Sequence, residues 1–183
     1  MTNLQIRTEI SVARENISAK QIEENGFFDN TYMVLKETQL SRIHFALEIT
    51  ERSAMKITDS LMDDSKRLQN NGISFSLDDF GMGHNSILYL QEGIFDEVKL
   101  DGHLVTQLPG NGRSRDIISG IIRMARSLDL RILAEYVETK EQRDILAELG
   151  CGFYQGYYYS RPLPMDKLVE YIKTAGNTAE GQR

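Results

Sequence analysis

The feature that most constrains this chain is a rhythm: short runs rich in β-branched and aromatic residues alternate with longer stretches of helical period. TEISVAR (8–14), HFALE (44–48), ISFSLD (73–78), FDEVKL (95–100), LRILAE (130–135) and GFYQG (152–156) read as strands. Residues 53–69 place Met55, Ile57, Leu61, Met62 and Leu68 on one helical face, with Asn71-Gly72 as the stop. Segments 114–128 and 139–149 repeat that design with Ile118, Ile122, Leu146 and their neighbours, and a further helix is expected from near Asn85. Strand, helix, strand in this order requires parallel strands joined by crossover helices, in an open doubly wound sheet or a closed barrel.

The polar residues at the strand ends favour the barrel. A (β/α)8 barrel carries its reactive groups on the C-terminal ends of many strands, whereas an open sheet gathers ligands at one switch point. Here Asn16 follows the first run and Glu48 ends the second. Asp78 and Asp79 end the third, Lys99 and Asp101 lie at the fourth, and Glu135 and Gln155 close the last two. The stretch QLPGNGRS (107–114) reads as a loop, and AGNTAEGQR (175–183) as a disordered tail.

Composition narrows the ligand. With 21 Lys+Arg against 27 Asp+Glu, the formal charge is -6, and so acidic a chain does not offer the basic groove that a nucleic-acid polymer needs. An anionic ligand would need local help from metal ions. Asp78, Asp79, Glu48, Asp101 and Asn16 form an all-oxygen set that suits Mg²⁺ or Mn²⁺ better than zinc. Adjacent carboxylates on an extended strand end point different ways, so Asp78 and Asp79 are expected to serve two neighbouring ions. Lys99 would lie beside them to neutralise a phosphate or orient a water. The three histidines have no zinc spacing. Cys151 reads as a small buried residue, and Phe153, Tyr154, Tyr157, Tyr158 and Tyr159 read mainly as core packing. One cysteine and no apolar run of about 18 residues fit a cytoplasmic chain without a membrane segment.

In sequence order, ENISAKQ (15–21), EITE (48–51), DDFGMGHNSI (78–87), VKLD (98–101), AEYVET (134–139) and GCGFYQGYYYSRPLP (150–164) resemble the motifs of the EAL domain, the phosphodiesterase module for cyclic di-GMP. The resemblance runs from about Ser11 to Leu168. It implies a (β/α)8 TIM-type barrel with two divalent cations, Mg²⁺ or Mn²⁺, at its mouth, and hydrolysis of cyclic di-GMP to linear pGpG. It assigns Asn16, Glu48 and Asp78 to the first metal, and Asp79 and Asp101 to the second. It also assigns Lys99 to the attacking water, Glu135 to the metal site, Gln155 to its closure, and Glu51 to propping the loop after Asp79. As partners it implies cyclic di-GMP and either a second copy in a homodimer or a sensory domain.

The chain departs from that pattern in two places. The loop reads GMGHNS where the family commonly has Gly-Thr-Gly-Tyr-Ser-Ser, which touches loop regulation and dimer contacts. No Glu-Ala-Leu tripeptide precedes Asn16. The expectation is therefore a truncated EAL domain over 1–174 that lacks the first βα unit, leaving the first metal site incomplete and two sheet edges open. A catalytically inactive module that senses cyclic di-GMP or docks a protein is the alternative.

Overall fold

The structure is a computed structural model that describes residues 12–37, 44–50, 57–81, 86–164, 166–168 and 170–171. Glu51, His84 and the 175–183 tail lie outside the described residues. Six strands are present among them: β1 (Val12–Ile17), β2 (His44–Thr50), β3 (Ile73–Phe80), β4 (Glu97–Leu100), β5 (Arg131–Ala134) and β6 (Phe153–Tyr154). They form one sheet in sequence order, and every adjacent pair is parallel. Among the described residues, seven helices lie in the connections: α1 (Ala19–Ile22), α2 (Phe27–Glu37), α3 (Asp59–Gln69), α4 (Ser86–Gln91), α5 (Gly102–Thr106), α6 (Gly112–Ser127) and α7 (Lys140–Leu149). This is the parallel α/β arrangement that the rhythm of the sequence predicts.

The two faces of the sheet differ in chemistry because side chains alternate along each strand. Leu47, Ile49, Phe75, Leu77, Val98 and Leu100 are buried in a single apolar cluster, which also takes in Leu61 and Leu68 of α3, Ile118 and Ile122 of α6, and Leu146 of α7. The alternate positions carry Glu48, Ser74, Ser76, Glu97 and Lys99, all buried. The helices thus supply an apolar outer layer, and the inner face of the sheet is lined with polar and charged groups.

Several boundaries differ from the sequence reading. β1 reaches Ile17, so Asn16 lies within the strand, its Cα paired with that of Glu48. The charged pair Arg14-Glu15 hides that continuation, because it interrupts the apolar run without interrupting the ladder. The helix expected over 53–69 is seen from Asp59, capped by Thr58, whose Oγ1 accepts from the Leu61 N–H at 3.2 Å. α6 starts two residues early because Asn111 caps it, Oδ1 accepting from Arg113 and Ser114. α2 escapes the sequence reading, although Phe28, Tyr32 and Leu35 have helical spacing and pack on the core. The strand expected over 152–156 shortens to Phe153–Tyr154. Beyond it, Phe153, Tyr157, Tyr158 and Tyr159 are exposed rather than packed in the core; Tyr154 alone of that group contacts it.

Candidate active site

Lys99 is the hub of the site. It lies on the inner face of β4 and is 3% exposed, a cost that a lysine meets only when paired. Its Nζ donates to Glu48 Oε2 at 2.8 Å and forms ion pairs with Glu135 Oε1 at 2.9 Å and Asp78 Oδ1 at 3.0 Å. Burial by itself would lower the basicity of this ammonium. The hydrogen bond to Glu48 and the charges of Glu135 and Asp78 outweigh it and hold the pKa well above the usual lysine range. Three strands and the turn after β5 therefore each send one charged group to a single point.

A bulge in β3 brings in a fourth carboxylate. Leu77 pairs with Val98 and Phe80 with Leu100, so three residue steps on β3 face two on β4. The extra residue falls at Asp78-Asp79, where Asp79 takes a left-handed φ of 55°. Asp78 Oδ1 accepts from the Asp79 backbone N–H at 3.0 Å. The sequence-based expectation for this pair assumes an unbroken pleat, and the bulge replaces that geometry. One carboxylate oxygen from each of Asp78, Asp79 and Glu135 lies within 4.8 Å of the other two.

This cluster fits a hard divalent cation. All of its donors are carboxylate oxygens, the ligand type that Mg²⁺ and Mn²⁺ take. Burial raises the pKa of Glu135, Lys99 lowers it, and the like charges of Asp78 and Glu48 raise it again, with a net upward shift. Burial is the main cause of that shift, since it disfavours the charged carboxylate, and a cation bound beside Glu135 would favour the charged form again.

Below this layer lies a second ion network that the sequence reading misses. Arg14 on β1 reaches across the inner face, with Nη1 3.1 Å from Glu48 Oε1 and also bonded to Glu97 Oε1, while Nη2 donates to Glu97 Oε2 at 3.2 Å. Burial lowers the Arg14 pKa, but the bonds and charges of Glu97 and Glu48 more than restore it. Glu97 is 2% exposed and also accepts from Ser76 Oγ at 3.1 Å. The sequence signal available was the pair of charges inside two strands, at positions 14 and 97, whose alternation matches that of Glu48 and Lys99.

The family model of the EAL domain matches residues 2–162. The chain belongs to the EAL domain family. It is 36% identical over 157 residues to MucR, a bifunctional diguanylate cyclase and cyclic di-GMP phosphodiesterase of Pseudomonas aeruginosa; that match covers 86% of this chain and 23% of MucR. The EAL domain of Mycobacterium smegmatis DcpA superposes with a TM-score of 0.81 at 27% identity, covering 89% of this chain and 73% of that one. The PaMucR phosphodiesterase in complex with cyclic di-GMP superposes with a TM-score of 0.75 at 35% identity, covering 85% and 69%. Klebsiella pneumoniae BlrP1, in a complex with manganese and cyclic di-GMP, gives 0.71 at 25% identity, covering 81% and 38%.

In this EAL domain the other sequence-predicted residues take distinct places. Asp101 is not one of the three clustered carboxylates; it caps α5, its Oδ1 accepting from the His103 N–H at 2.7 Å. Asn16 is exposed at the end of β1. Gln155 is exposed and borders an open pocket of about 240 Å³ together with Glu135, Tyr136 and Tyr157. Its backbone is fixed: the Gln155 N–H donates to Ala134 O at 2.8 Å, and Gln155 O accepts from the Val137 N–H at 3.1 Å. Next to it, a Cβ on Gly156 would lie 2.2 Å from the Val137 carbonyl oxygen, an approach that only glycine permits. Cys151 is buried as expected, and burial pushes its thiol up to about 11.

Proposed function

We propose that this EAL domain is a cyclic di-GMP phosphodiesterase module that opens the cyclic dinucleotide to linear pGpG. The observation that carries the reading is the cluster of Asp78, Asp79 and Glu135 oxygens around the buried ammonium of Lys99. Asp78, Asp79 and Glu135 would hold Mg²⁺ or Mn²⁺, with Asp101 and Asn16 as further oxygen donors of a two-ion site; Glu48, its Oε1 held by Arg14 and its Oε2 by Lys99, would orient Lys99 beside them. Divalent cations, when bound, would polarise the phosphate and lower the pKa of an attacking water. Lys99 supplies a fixed positive charge that orients the attacking water and balances the carboxylates around it. In the step itself the water oxygen bonds to phosphorus, one P–O3′ bond breaks, and the departing 3′ oxygen takes up a proton. Gln155 and Tyr136 border the pocket next to Glu135, where the dinucleotide would lie. A cytoplasmic setting, and a second copy or a sensory domain as partner, belong to the same proposal.

The test is hydrolysis of cyclic di-GMP by the wild-type chain and Asp78→Ala, with Mg²⁺ or Mn²⁺, followed by chromatography of pGpG. Turnover by the wild type and its loss by at least 100-fold in Asp78→Ala is the expected result. Equal rates would sink the proposal. Calorimetric binding without turnover under either metal would instead make the module a cyclic di-GMP sensor.

A further inference from the structure

Arg14 stands out among the residues outside the carboxylate cluster. Its side chain lies on the inner face of β1 and is spent wholly on two acids. Glu97 takes both ends of the guanidinium fork, and Nη1 also meets Glu48 Oε1 at 3.1 Å. Glu97 is itself pinned, because Ser76 Oγ donates to its Oε1 at 3.1 Å and Arg131 Nε lies 3.9 Å from its Oε2. Glu48 is thus held from both sides, Oε1 by Arg14 and Oε2 by Lys99.

A buried ion network of this size is poor evidence for stability, since apolar side chains of similar volume often serve as well. Its value lies in geometry. The Lys99 ammonium has three acceptors, at 2.8, 2.9 and 3.0 Å, and two of them, Glu135 and Asp78, belong to the cluster a cation would use. Only the bond to Glu48 tethers Lys99 to β2, away from the cluster. If Glu48 were free to turn, the ammonium would keep Asp78 and Glu135 as its only fixed acceptors, shift toward them, and compete harder with the cation for their oxygens.

We propose that Arg14 is a positioning residue: clamped on Glu97, it fixes Glu48, and Glu48 fixes where the Lys99 ammonium sits relative to Asp78 and Glu135. Its effect on cation affinity rests on the reading of that cluster as a metal site. Its effect on Lys99 does not.

Two measurements separate those claims. Mn²⁺ binding is followed by the paramagnetic resonance of free Mn²⁺, and the Lys99 ammonium resonance is followed by nitrogen-edited NMR of metal-free protein. The variants are Arg14→Met, Arg14→Lys and Glu97→Gln, with Arg115→Ala, which breaks only the exposed pair to Glu148, as control. Loss of an outer-shell partner typically weakens metal binding by about 10–100-fold, and this is expected for Arg14→Met and Glu97→Gln, with a displaced Lys99 signal. Their double variant should be no worse than the poorer single one, since both act on one clamp. The turnover number should fall with the KM for cyclic di-GMP unchanged, and Arg115→Ala should change nothing. If Arg14→Met fails to fold, Glu97→Gln and Arg14→Lys decide. A folded Glu97→Gln with wild-type Mn²⁺ affinity and a wild-type Lys99 signal overturns the proposal. If the wild type neither binds Mn²⁺ nor turns over, the phosphodiesterase reading fails. The Lys99 signal then decides the clamp: displacement in Glu97→Gln sustains it, and no displacement overturns it.

Discussion

Replacing Lys99 by methionine keeps the volume of the side chain and removes its charge, leaving Asp78 and Glu135 to face each other without the ammonium 3.0 and 2.9 Å away. Glu48 retains Arg14, so the loss falls on the other two acids. Removing one partner from a buried ion pair costs about 3–5 kcal/mol, a large share of the roughly 5–15 kcal/mol that holds a domain together. The loss should depend on pH in a definite direction. Glu135 already titrates above its ordinary 4.5 in the folded protein. Above that value the folded state therefore binds more protons than the unfolded state, and the contribution of Glu135 to stability falls as pH rises through its folded pKa. Lys99→Met raises that folded pKa further, so the deficit should be largest near pH 8 and smallest near pH 5. Urea unfolding at both pH values, read against the wild type at equal slope, measures it. Saturating Mn²⁺ should recover part of the loss, about 2.7 kcal/mol at a hundred times its Kd. A deficit under about 1 kcal/mol at pH 8 that does not change with pH would refute the reasoning.

Other parts of the structure give sharper local tests. Gly156→Ala would force a Cβ to within 2.2 Å of the Val137 oxygen and 2.4 Å of its nitrogen, both backbone atoms that cannot rotate away; thermal unfolding should show a loss of about 1–3 kcal/mol. With its thiol at about 11, Cys151 is about 0.1% thiolate at pH 8. Dithionitrobenzoate should therefore label it slowly in the native protein and at once in urea, and rapid native labelling would contradict its burial. Asp96→Ala removes the Oδ2 that accepts from the Phe75 N–H at 2.8 Å and from Gln69 Nε2 at 3.0 Å. Stranding that N–H should cost about 1–3 kcal/mol in denaturant unfolding.

The parallel sheet and most strand-end acids are legible in the sequence because each announces itself locally: apolar runs, helical spacing, then a carboxylate. Asp78, Asp79, Lys99 and Glu135 meet as their places at strand ends predict. What local pattern hides is the shape of the meeting point. The bulge at Asp78-Asp79 is a mismatch between two strands and has no signature within either one. Arg14 and Glu97 escape notice because each finds its partner 83 residues away, a pairing that no local pattern shows. The aromatic run from Phe153 was misjudged for a related reason: alternation tells which face a residue takes, and only the neighbours decide whether that face is covered. Asp101 shows a different limit, since a carboxylate placed to ligate is equally placed to cap the helix that follows it.

The close contact between Gly156 and Val137 has a mechanical consequence. Gln155 and Tyr158 bond the two backbone groups of Val137 from one side, and Gly156 lies flat against the same peptide. The segments that carry Glu135 and Gln155 are thereby riveted into one plate, so neither residue can shift without taking the other along. Any adjustment of their spacing to Asp78 and Asp79 has to come as a displacement of that whole plate against β3, and a change at either residue alters the register of both.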